Sequence, residues 1–402
     1  MTSRLQDIAT LFDGGRLTLA RNLAGLRKNA LAAAIGKSPT AVAAYENGAK
    51  RPAATTVAEL SLALQVDPGF FLPRPGKANP AGTPPHFRSL RSTTQLARDQ
   101  AHAYGQLVVD VAAGIERHVE FPERDLPAYP IAGEEPDHGA PEEAASCLRK
   151  DWNLPEGPVG HLVRLAENHG CLVVFTPRGT AKVDAYSFDT LQRPVVLLNP
   201  LKDDYFRQRF DVAHELGHLV MHLDAEPGGR VVENQANRFA SELLMPADQI
   251  IDQLPPRADW KILQRLKQYW NVSLQALLFR ARTLGVMGEV TYRNAVVSLS
   301  QKGWRRSEPG PMPILEQPSL LPGAAELLRR DAGVEAGDLS EECGSPIALF
   351  TTITSRFPQP EDNTNQVAAD ADQGRSEAKV ISLLEHSGRP AVGSHPRSGQ
   401  EG

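Results

Sequence analysis

Three residues within one five-residue stretch could form the centre of a metal-dependent active site. His214, Glu215 and His218 spell His-Glu-x-x-His inside a run with a helical pattern. Because His214 and His218 are four residues apart, they project from one helix face, one turn apart, where two imidazoles can share an ion. Glu215 then points toward the same cavity and can take a proton from water that the metal activates. Zinc is the metal expected, since it accepts neutral imidazole nitrogens and leaves a position open for water.

A second helix downstream offers a third ligand. Residues 230–245 have helical spacing, follow a Gly-Gly turn and stop before Pro246. Glu233, in the first turn of this helix, would complete a His-His-Glu set and leave the fourth position for water. The alternative is an ordinary amphipathic helix with an apolar buried face and two incidental histidines.

The two segments together resemble the ImmA/IrrE-type metallopeptidases. Members carry His-Glu-Leu-Gly-His, then a helix with Glu-x-x-Ala-Asn-x-Phe-Ala-x-x-Leu-Leu-Met-Pro, and both motifs occur here, the second at 233–246. The resemblance covers roughly residues 145–305. It implies a gluzincin-like zinc peptidase, with His214, His218 and Glu233 as ligands of Zn²⁺ and Glu215 as the general base.

Other polar residues could assist the three ligands and Glu215. His222 lies one turn beyond His218, and we expect it to support the ligands or to pack, because three successive ligands on one helix would strain the geometry. Asn237 could orient the Glu233 carboxylate, with an exposed helix position as the alternative. Peptide hydrolysis would also need a residue that stabilises the oxyanion formed when water attacks the carbonyl. Four candidates are left open: His222, Arg207, Tyr186 and His169.

The N-terminal region has the pattern of a helix-turn-helix. Residues 16–72 alternate helical runs with turns, and Ser38-Pro39 predicts the start of the third helix. This pattern resembles the Cro/repressor-like (Xre) family. The matching residues are Leu26, Leu31-Ala32, Ile35-Gly36, Ser38, Val42 and Tyr45-Glu46-Asn47-Gly48.

The charge of this region favours DNA as the partner. Residues 16–52 contain seven basic residues and one acidic residue, although the whole chain has a net charge of −5. The third helix offers few polar groups, so Thr40 could bond a base edge, the alanines could touch thymine methyls, and phosphate contacts should dominate. A homodimer on double-stranded DNA would add specificity. A helical protein-interaction domain is the alternative. The predicted contact residues are Arg21, Lys28, Ser38, Thr40, Ala41, Ala44, Lys50 and Arg51.

Length and composition indicate a multidomain globular protein. The chain has 402 residues, 41% of them hydrophobic, and three scattered cysteines that fit a reducing cytoplasm. It shows neither an apolar signal core nor a membrane-spanning run, so we expect a soluble cytoplasmic protein with no membrane partner. The predicted division is a helix-turn-helix domain (1–74), a linker with a long helix (75–143), a metallopeptidase domain (144–305), a short helical extension (306–350) and a disordered tail (351–402).

The predicted fold is mainly α, with an all-α N-terminal domain and an α+β gluzincin-like metallopeptidase domain. The long helix, from Thr94 to His118, is either a spacer or an element for dimerisation or for docking the DNA-binding unit. Strands at 171–175, 183–188 and 195–198 suit a small antiparallel sheet. An edge strand there could pair with an extended polypeptide substrate.

These patterns predict a DNA-binding transcriptional regulator with a zinc-dependent endopeptidase domain. Its target would be a helix-turn-helix repressor, another copy, or the chain itself. The alternative is a transcription factor whose metal domain is a non-proteolytic sensor, which would need the ligands but not Glu215. A metal-dependent nucleic-acid enzyme is disfavoured, because the sequence lacks a carboxylate-rich two-metal set.

Overall fold

The computed structural model describes residues 2–73, 94–134, 136–178, 185–190, 192–222 and 229–359. These residues fold mainly into helices with one small sheet, which agrees with the predicted fold class. The proline- and glycine-rich linker predicted after residue 73, and the predicted tail beyond residue 359, lie outside the described residues. No helix of the described ranges is long and apolar enough to cross a bilayer.

The N-terminal residues form a helix-turn-helix preceded by two further helices. Ser38 caps the start of the second helix of the motif, because its Oγ accepts a hydrogen bond from the Ala41 N–H (3.1 Å). Pro39 follows at the first helical position, where it has no backbone N–H that would need an acceptor. Leu31 and Val42 are fully buried between the two helices of the motif. The bounds are α1 Thr2–Leu11, α2 Gly14–Leu23, α3 Lys28–Ala34, α4 Pro39–Glu46 and α5 Ala54–Leu64.

The long helix α6 (Gln95–Ile115) is buried in the centre of the chain and is not a spacer. One part of it packs against α2, where the Gln100 amide donates to the carbonyl of Leu23 (3.0 Å). Another part approaches the sheet so closely that a Cβ at Gly105 would lie 2.2 Å from the Phe188 ring. The contacts of α6 with α2 match one of the expected roles of this helix, the docking of the DNA-binding unit.

The sheet is mixed, which corrects the predicted antiparallel arrangement. Its strands are β1 (Leu172–Phe175), β2 (Ala185–Phe188) and β3 (Val195–Leu198), in the order β1-β3-β2. Strand β2 pairs with β3 antiparallel, but β3 also pairs with β1 parallel. The antiparallel prediction assumed that strands adjacent in sequence pair, whereas β3 inserts between its two predecessors.

Both faces of this sheet are buried, and each belongs to a different core. One face, with Val174, Tyr186 and Leu197, joins the core formed by the N-terminal helices and α6. The other face, with Val173, Ala185 and Val196, joins the core of the helices that carry the His-Glu-x-x-His motif. The sheet therefore separates two layers of helices.

The second layer contains the two helices that supply the predicted ligands. Helix α9 begins where the Asp204 carboxylate accepts from the Arg207 N–H (3.1 Å), and it packs against α10. The helices after α6 up to residue 301 are α7 Ala140–Asp151, α8 Leu162–Asn168, α9 Tyr205–Met221, α10 Arg230–Leu244, α11 Ala247–Ile250, α12 Trp260–Trp270, α13 Leu274–Thr283 and α14 Glu289–Gln301.

Part of the predicted second linker is built into this layer. The N–H of Tyr129 donates to the carbonyl of Val220 (2.8 Å), and that of Ile131 donates to the carbonyl of Met221 (3.1 Å). These bonds attach residues 129–131 to the end of α9. Composition did not reveal this, because an extended segment that pairs with a helix end has the polar and proline-rich character of a loop.

The C-terminal part returns across both layers. Residues 308–320 are fixed by buried carboxylates: Glu308 pairs with Lys267 (2.9 Å), and Glu167 accepts the backbone N–H groups of Ser319 (2.8 Å) and Leu320 (2.9 Å). Three helices then pack beside α6 and β1, where the sequence predicted only one near 324–330. They are α15 Leu320–Ala332, α16 Ala336–Cys343 and α17 Ile347–Ile353, so helical structure enters the predicted tail.

Candidate functional site

The structure brings His214, His218 and Glu233 together in one buried cluster. The two Nε2 atoms are 3.0 Å apart, and the Glu233 carboxylate lies 3.4 Å from Nε2 of His214 and 3.8 Å from Nε2 of His218. Both imidazoles are almost fully buried. Helix α9 supplies the histidines one turn apart, and α10 brings Glu233 across from them.

This set of donor atoms fits a zinc ion. Two ligands held about 2.1 Å from a tetrahedral ion lie about 3.4 Å apart, close to the separations of 3.0, 3.4 and 3.8 Å in the cluster. All three ligand atoms lie within 4.8 Å of one another. Two imidazoles and one carboxylate are a common zinc ligand set that leaves a fourth position for water.

Asn237 contacts a different predicted ligand from the one that the sequence suggested. Its side-chain oxygen lies 3.1 Å from Nδ1 of His214, so it contacts the imidazole on α9. The sequence placed Asn237 one turn after Glu233 on the same helix, which suggested a contact along α10. The face of α10 that carries both residues packs against α9, and this explains the contact across the helix pair.

Glu215 has a partner that the sequence did not identify. The hydroxyl of Ser187 donates to Oε2 of Glu215 (2.7 Å), and both side chains are buried. Ser187 belongs to β2, on the strand face that points to α9. A signal existed in retrospect, because Ser187 is a lone polar residue within the apolar run Ala185–Phe188.

His222 lies behind His218, away from the ligand cluster. Its Nδ1 is 3.0 Å from Nδ1 of His218, and its Nε2 is 3.1 Å from the side-chain oxygen of Gln235. His222 was expected to support the ligands or to pack, and these contacts place it beside His218 and Gln235. Gln235 was not predicted, because nothing in its spacing on α10 separates it from ordinary helix positions.

A cleft of about 650 Å³ opens beside Glu215. Glu215 and Asn237 line it on the side of the ligand helices, and Ala185 of β2 lines it at the sheet edge. Phe210, Phe279 and Tyr292 add aromatic surface. The cleft therefore combines aromatic surface, charged side chains such as Lys202 and Asp211, an edge strand and the carboxylate of the motif.

Among the four candidates for the oxyanion stabiliser, only Arg207 lines this cleft. The Tyr186 hydroxyl donates to the carbonyl of Ala101 on the opposite side of the sheet (3.1 Å), and burial raises its pKa. His169 stacks on Trp152, with ring centroids 4.1 Å apart, and contacts Asp125. His222 makes the contacts with His218 and Gln235 described above.

The predicted DNA-binding residues divide into exposed and internal groups. Ser38 and Thr40 at the start of α4 are exposed, Ala41 and Ala44 are half-buried, and Lys50 and Arg51 after α4 are exposed. The guanidinium of Arg51 also donates to the carbonyl of Thr10 (2.5 Å). These six residues lie at both ends and along one side of α4.

Arg21 does not belong to this exposed surface. It is buried, pairs with Glu46 (2.5 Å) and donates to the carbonyl of Leu26 (2.8 Å). Lys28 is exposed and reaches the same Glu46 carboxylate (3.1 Å). The charge of Arg21 is therefore used inside the helical domain, and its expected contact with DNA stays an untested prediction.

Comparison with known families matches both halves of this arrangement. Residues 17–71 match the family model described as helix-turn-helix, and residues 166–282 match the peptidase family model described as the IrrE N-terminal-like domain. No curated protein matches the chain significantly. The two matched segments contain α4 with its exposed residues, and the ligand cluster with Glu215.

Proposed function

We propose that this chain, a fusion of an Xre-type helix-turn-helix domain with an ImmA/IrrE-type metallopeptidase domain, is a DNA-binding transcriptional regulator that acts as a zinc-dependent endopeptidase. One observation carries the proposal: the wall of the cleft contains Glu215, the residue next to the ligand His214. A domain that only senses a metal needs the three ligands, but it has no use for a carboxylate facing an open cleft.

The residues of the site divide the chemistry of peptide hydrolysis among them. Zinc, when bound by His214, His218 and Glu233, supplies the Lewis acidity that makes water nucleophilic near neutral pH. Glu215 takes the proton from the attacking water and passes it to the leaving amine. Ser187 holds one oxygen of that carboxylate at 2.7 Å, so the general base has a fixed orientation.

The cleft supports a polypeptide as the substrate. Strand β2 is at the edge of the sheet, and its first residue, Ala185, lines the cleft. An extended peptide that adds to such an edge gains backbone hydrogen bonds whatever its sequence. The aromatic side chains of the cleft, Phe210, Phe279 and Tyr292, would favour apolar side chains of the peptide. We propose that the substrate is a helix-turn-helix repressor or another copy of this chain, which the fused DNA-binding domain would bring close.

DNA binding in this proposal uses the exposed surface of α4. Thr40 contacts a base edge, Ala41 and Ala44 contact thymine methyls, and Lys50 and Arg51 contact phosphates. Few polar side chains project from α4, so one subunit would discriminate weakly. A homodimer on two half-sites would supply the remaining specificity.

The test is a Glu215→Gln variant compared with the wild type in cells. New protein N-termini should appear with the wild type, concentrated in one or a few DNA-binding proteins, and fall at least about 100-fold with the variant. Zinc content and DNA affinity should be unchanged, because Gln keeps the side-chain shape and touches neither function. Glu289→Gln, at the exposed start of α14, is the matched control and should cleave normally.

Two outcomes would contradict the proposal. Identical N-termini with the wild type and Glu215→Gln would exclude proteolysis by this site. Regulation of target genes that survives Glu215→Gln would favour the alternative, a DNA-binding transcription factor with a non-proteolytic metal sensor.

A further inference from the structure

A chain of buried hydrogen bonds runs from the ligand His218 through His222 and Gln235 to the backbone of Ala132. We infer that His222 and Gln235 are positioning residues that keep the proton of His218 on Nδ1, so that Nε2 presents its lone pair to the metal. This inference rests on the proposed zinc site, and it assigns a role to two residues outside the ligand set.

The orientation of the Gln235 amide is the starting point. Its nitrogen faces three oxygen atoms, which are the carbonyls of Ala132 (3.0 Å) and Glu134 (3.4 Å) and the carboxylate of Asp137 (3.3 Å). All three can only accept a hydrogen bond from the amide, so the NH₂ group must point toward them. The amide oxygen of Gln235 therefore faces His222.

The amide oxygen determines where His222 carries its proton. That oxygen accepts and lies 3.1 Å from Nε2 of His222, so Nε2 bears the hydrogen. In a neutral imidazole the other nitrogen, Nδ1, is then an acceptor. Nδ1 of His222 lies 3.0 Å from Nδ1 of His218, and His218 must be the donor of this bond.

The second imidazole ligand has a comparable contact with a different residue. The side-chain oxygen of Asn237 lies 3.1 Å from Nδ1 of His214, and because an amide oxygen only accepts, Nδ1 is the donor of this bond. Both ligands then direct Nε2 lone pairs at each other across 3.0 Å, an arrangement that a cation relieves. The two contacts prepare the imidazoles for the metal before it binds, as second hydrogen-bond partners of metal-ligating histidines commonly do.

The backbone conformation of His222 explains why it joins this series of hydrogen bonds and is not a metal ligand. Helix α9 ends at Met221, and His222 leaves the helix with φ −114° and ψ 45°. Its ring nitrogens contact His218 and Gln235. Residues 129–131, bonded to the end of α9, hold the neighbouring Ala132 carbonyl beside Gln235.

The proton positions can be read directly by NMR on the full-length, metal-free protein labelled with ¹⁵N-histidine. Long-range ¹H–¹⁵N spectra should show the hydrogen on Nδ1 for His218 and on Nε2 for His222, with His222→Phe used for assignment. Hydrogens on Nε2 of His218 and on Nδ1 of His222 would overturn the inference. This reading needs no activity, so it holds even if the proposed proteolysis fails.

Zinc affinity, measured by competition with a chelator, tests whether His222 and Gln235 act on His218 as one series of hydrogen bonds. His222→Phe keeps the ring but removes the acceptor, and Gln235→Met keeps the length but removes the amide. Each should weaken zinc binding about 10- to 100-fold. The double variant should bind no more weakly than His222→Phe alone, because Gln235 acts only through His222.

Gln249→Met is the matched control, since Gln249 accepts from the Gly157 N–H (2.6 Å) elsewhere in the same layer. It should leave the zinc Kd unchanged. Circular dichroism of each metal-free variant establishes that it is folded. Additive losses in the double variant, or single losses below about twofold, would contradict the inference. Absence of zinc binding by the wild type would refute the proposed function, while the NMR reading would still decide the proton positions.

Discussion

Basic residues that look equivalent in the sequence of the helix-turn-helix have different physical roles. Lys50 is exposed after α4, whereas Arg21 lies inside and neutralises the buried Glu46 carboxylate. An exposed charge near DNA contributes through release of counterions from phosphate. A buried charge contributes to the stability of the fold, because its removal leaves the opposite charge of its partner buried and unpaired.

Substituting these two residues should therefore give opposite signatures. Lys50→Ala should leave the free energy of unfolding nearly unchanged and lower the slope of log affinity against log salt by about 1. Arg21→Ala should lower the free energy of unfolding by about 3 kcal/mol. Salt titrations of DNA binding and denaturant melts measure the two effects. A reduced salt slope in a fully stable Arg21→Ala protein would restore Arg21 to the DNA-binding surface.

At this scale the sequence identified the two histidines, His214 and His218, from spacing within one helix, and the motif on the next helix added Glu233 in its first turn. Ser187 and Gln235 act through partners on other elements or in distant loops, and Asn237 was assigned to the wrong partner for the same reason. Such contacts depend on how elements pack, which spacing along one segment does not encode.

Among the elements, α6 shows most clearly how packing distance constrains the sequence. At Gly105 the helix approaches β2 and β3, with the Phe188 ring and the Leu197 side chain against it. Core positions without spare volume resist even one added methyl group, because neighbouring side chains must leave favourable rotamers.

Gly105→Ala should destabilise the protein by about 1–3 kcal/mol, even though alanine is the better helix former. Gly337→Ala in α16 is the matched control, since a Cβ there meets nothing within 4 Å. It should be neutral or stabilise by up to about 1 kcal/mol. Chemical denaturation measures both. Equal behaviour of the two variants would show that α6 can move away from the sheet at no cost.

The elements themselves were easier to predict than their neighbours. The three strands, the ligand helices and the long helix all occur near their predicted positions. The parallel pairing of β1 with β3 was missed, because hydrophobic runs mark strands but not their order. Helices α16 and α17 were also missed, because their short apolar faces are too brief for a periodic signal.

For the whole molecule, the N-terminal helices and the ligand helices are joined through shared structure. Arg16 of α2 donates to the carbonyl of Phe70, pairs with Asp110 of α6 (2.7 Å) and donates to the carbonyl of Gly344 after α16 (2.8 Å). The sheet then connects α6 to the second core. Such continuous packing favours one cooperative unfolding transition for all of these parts.

Zinc should therefore protect the DNA-binding helices as well as its own site. A free concentration of 100 times Kd stabilises the folded state by about 2.7 kcal/mol. Hydrogen exchange should show this increase for the slowest amides of both α2 and α9, and Glu233→Ala should abolish it at the same zinc concentration. Protection that rises in α9 but stays constant in α2 would show that the two parts unfold separately.

The burial of both sheet faces also determines which fragment of the IrrE-like domain could be stable by itself. A fragment cut at the boundary of the IrrE-like match, residues 166–282, would expose one apolar side of a three-stranded sheet to water. Exposed strands of that kind aggregate readily. The smallest piece with a covered sheet must retain α6 and the helices from α15 to α17. In evolutionary terms, exchanging the helix-turn-helix domain or the IrrE-like domain as a separate module would also require replacing the sheet and α6, which join the two cores.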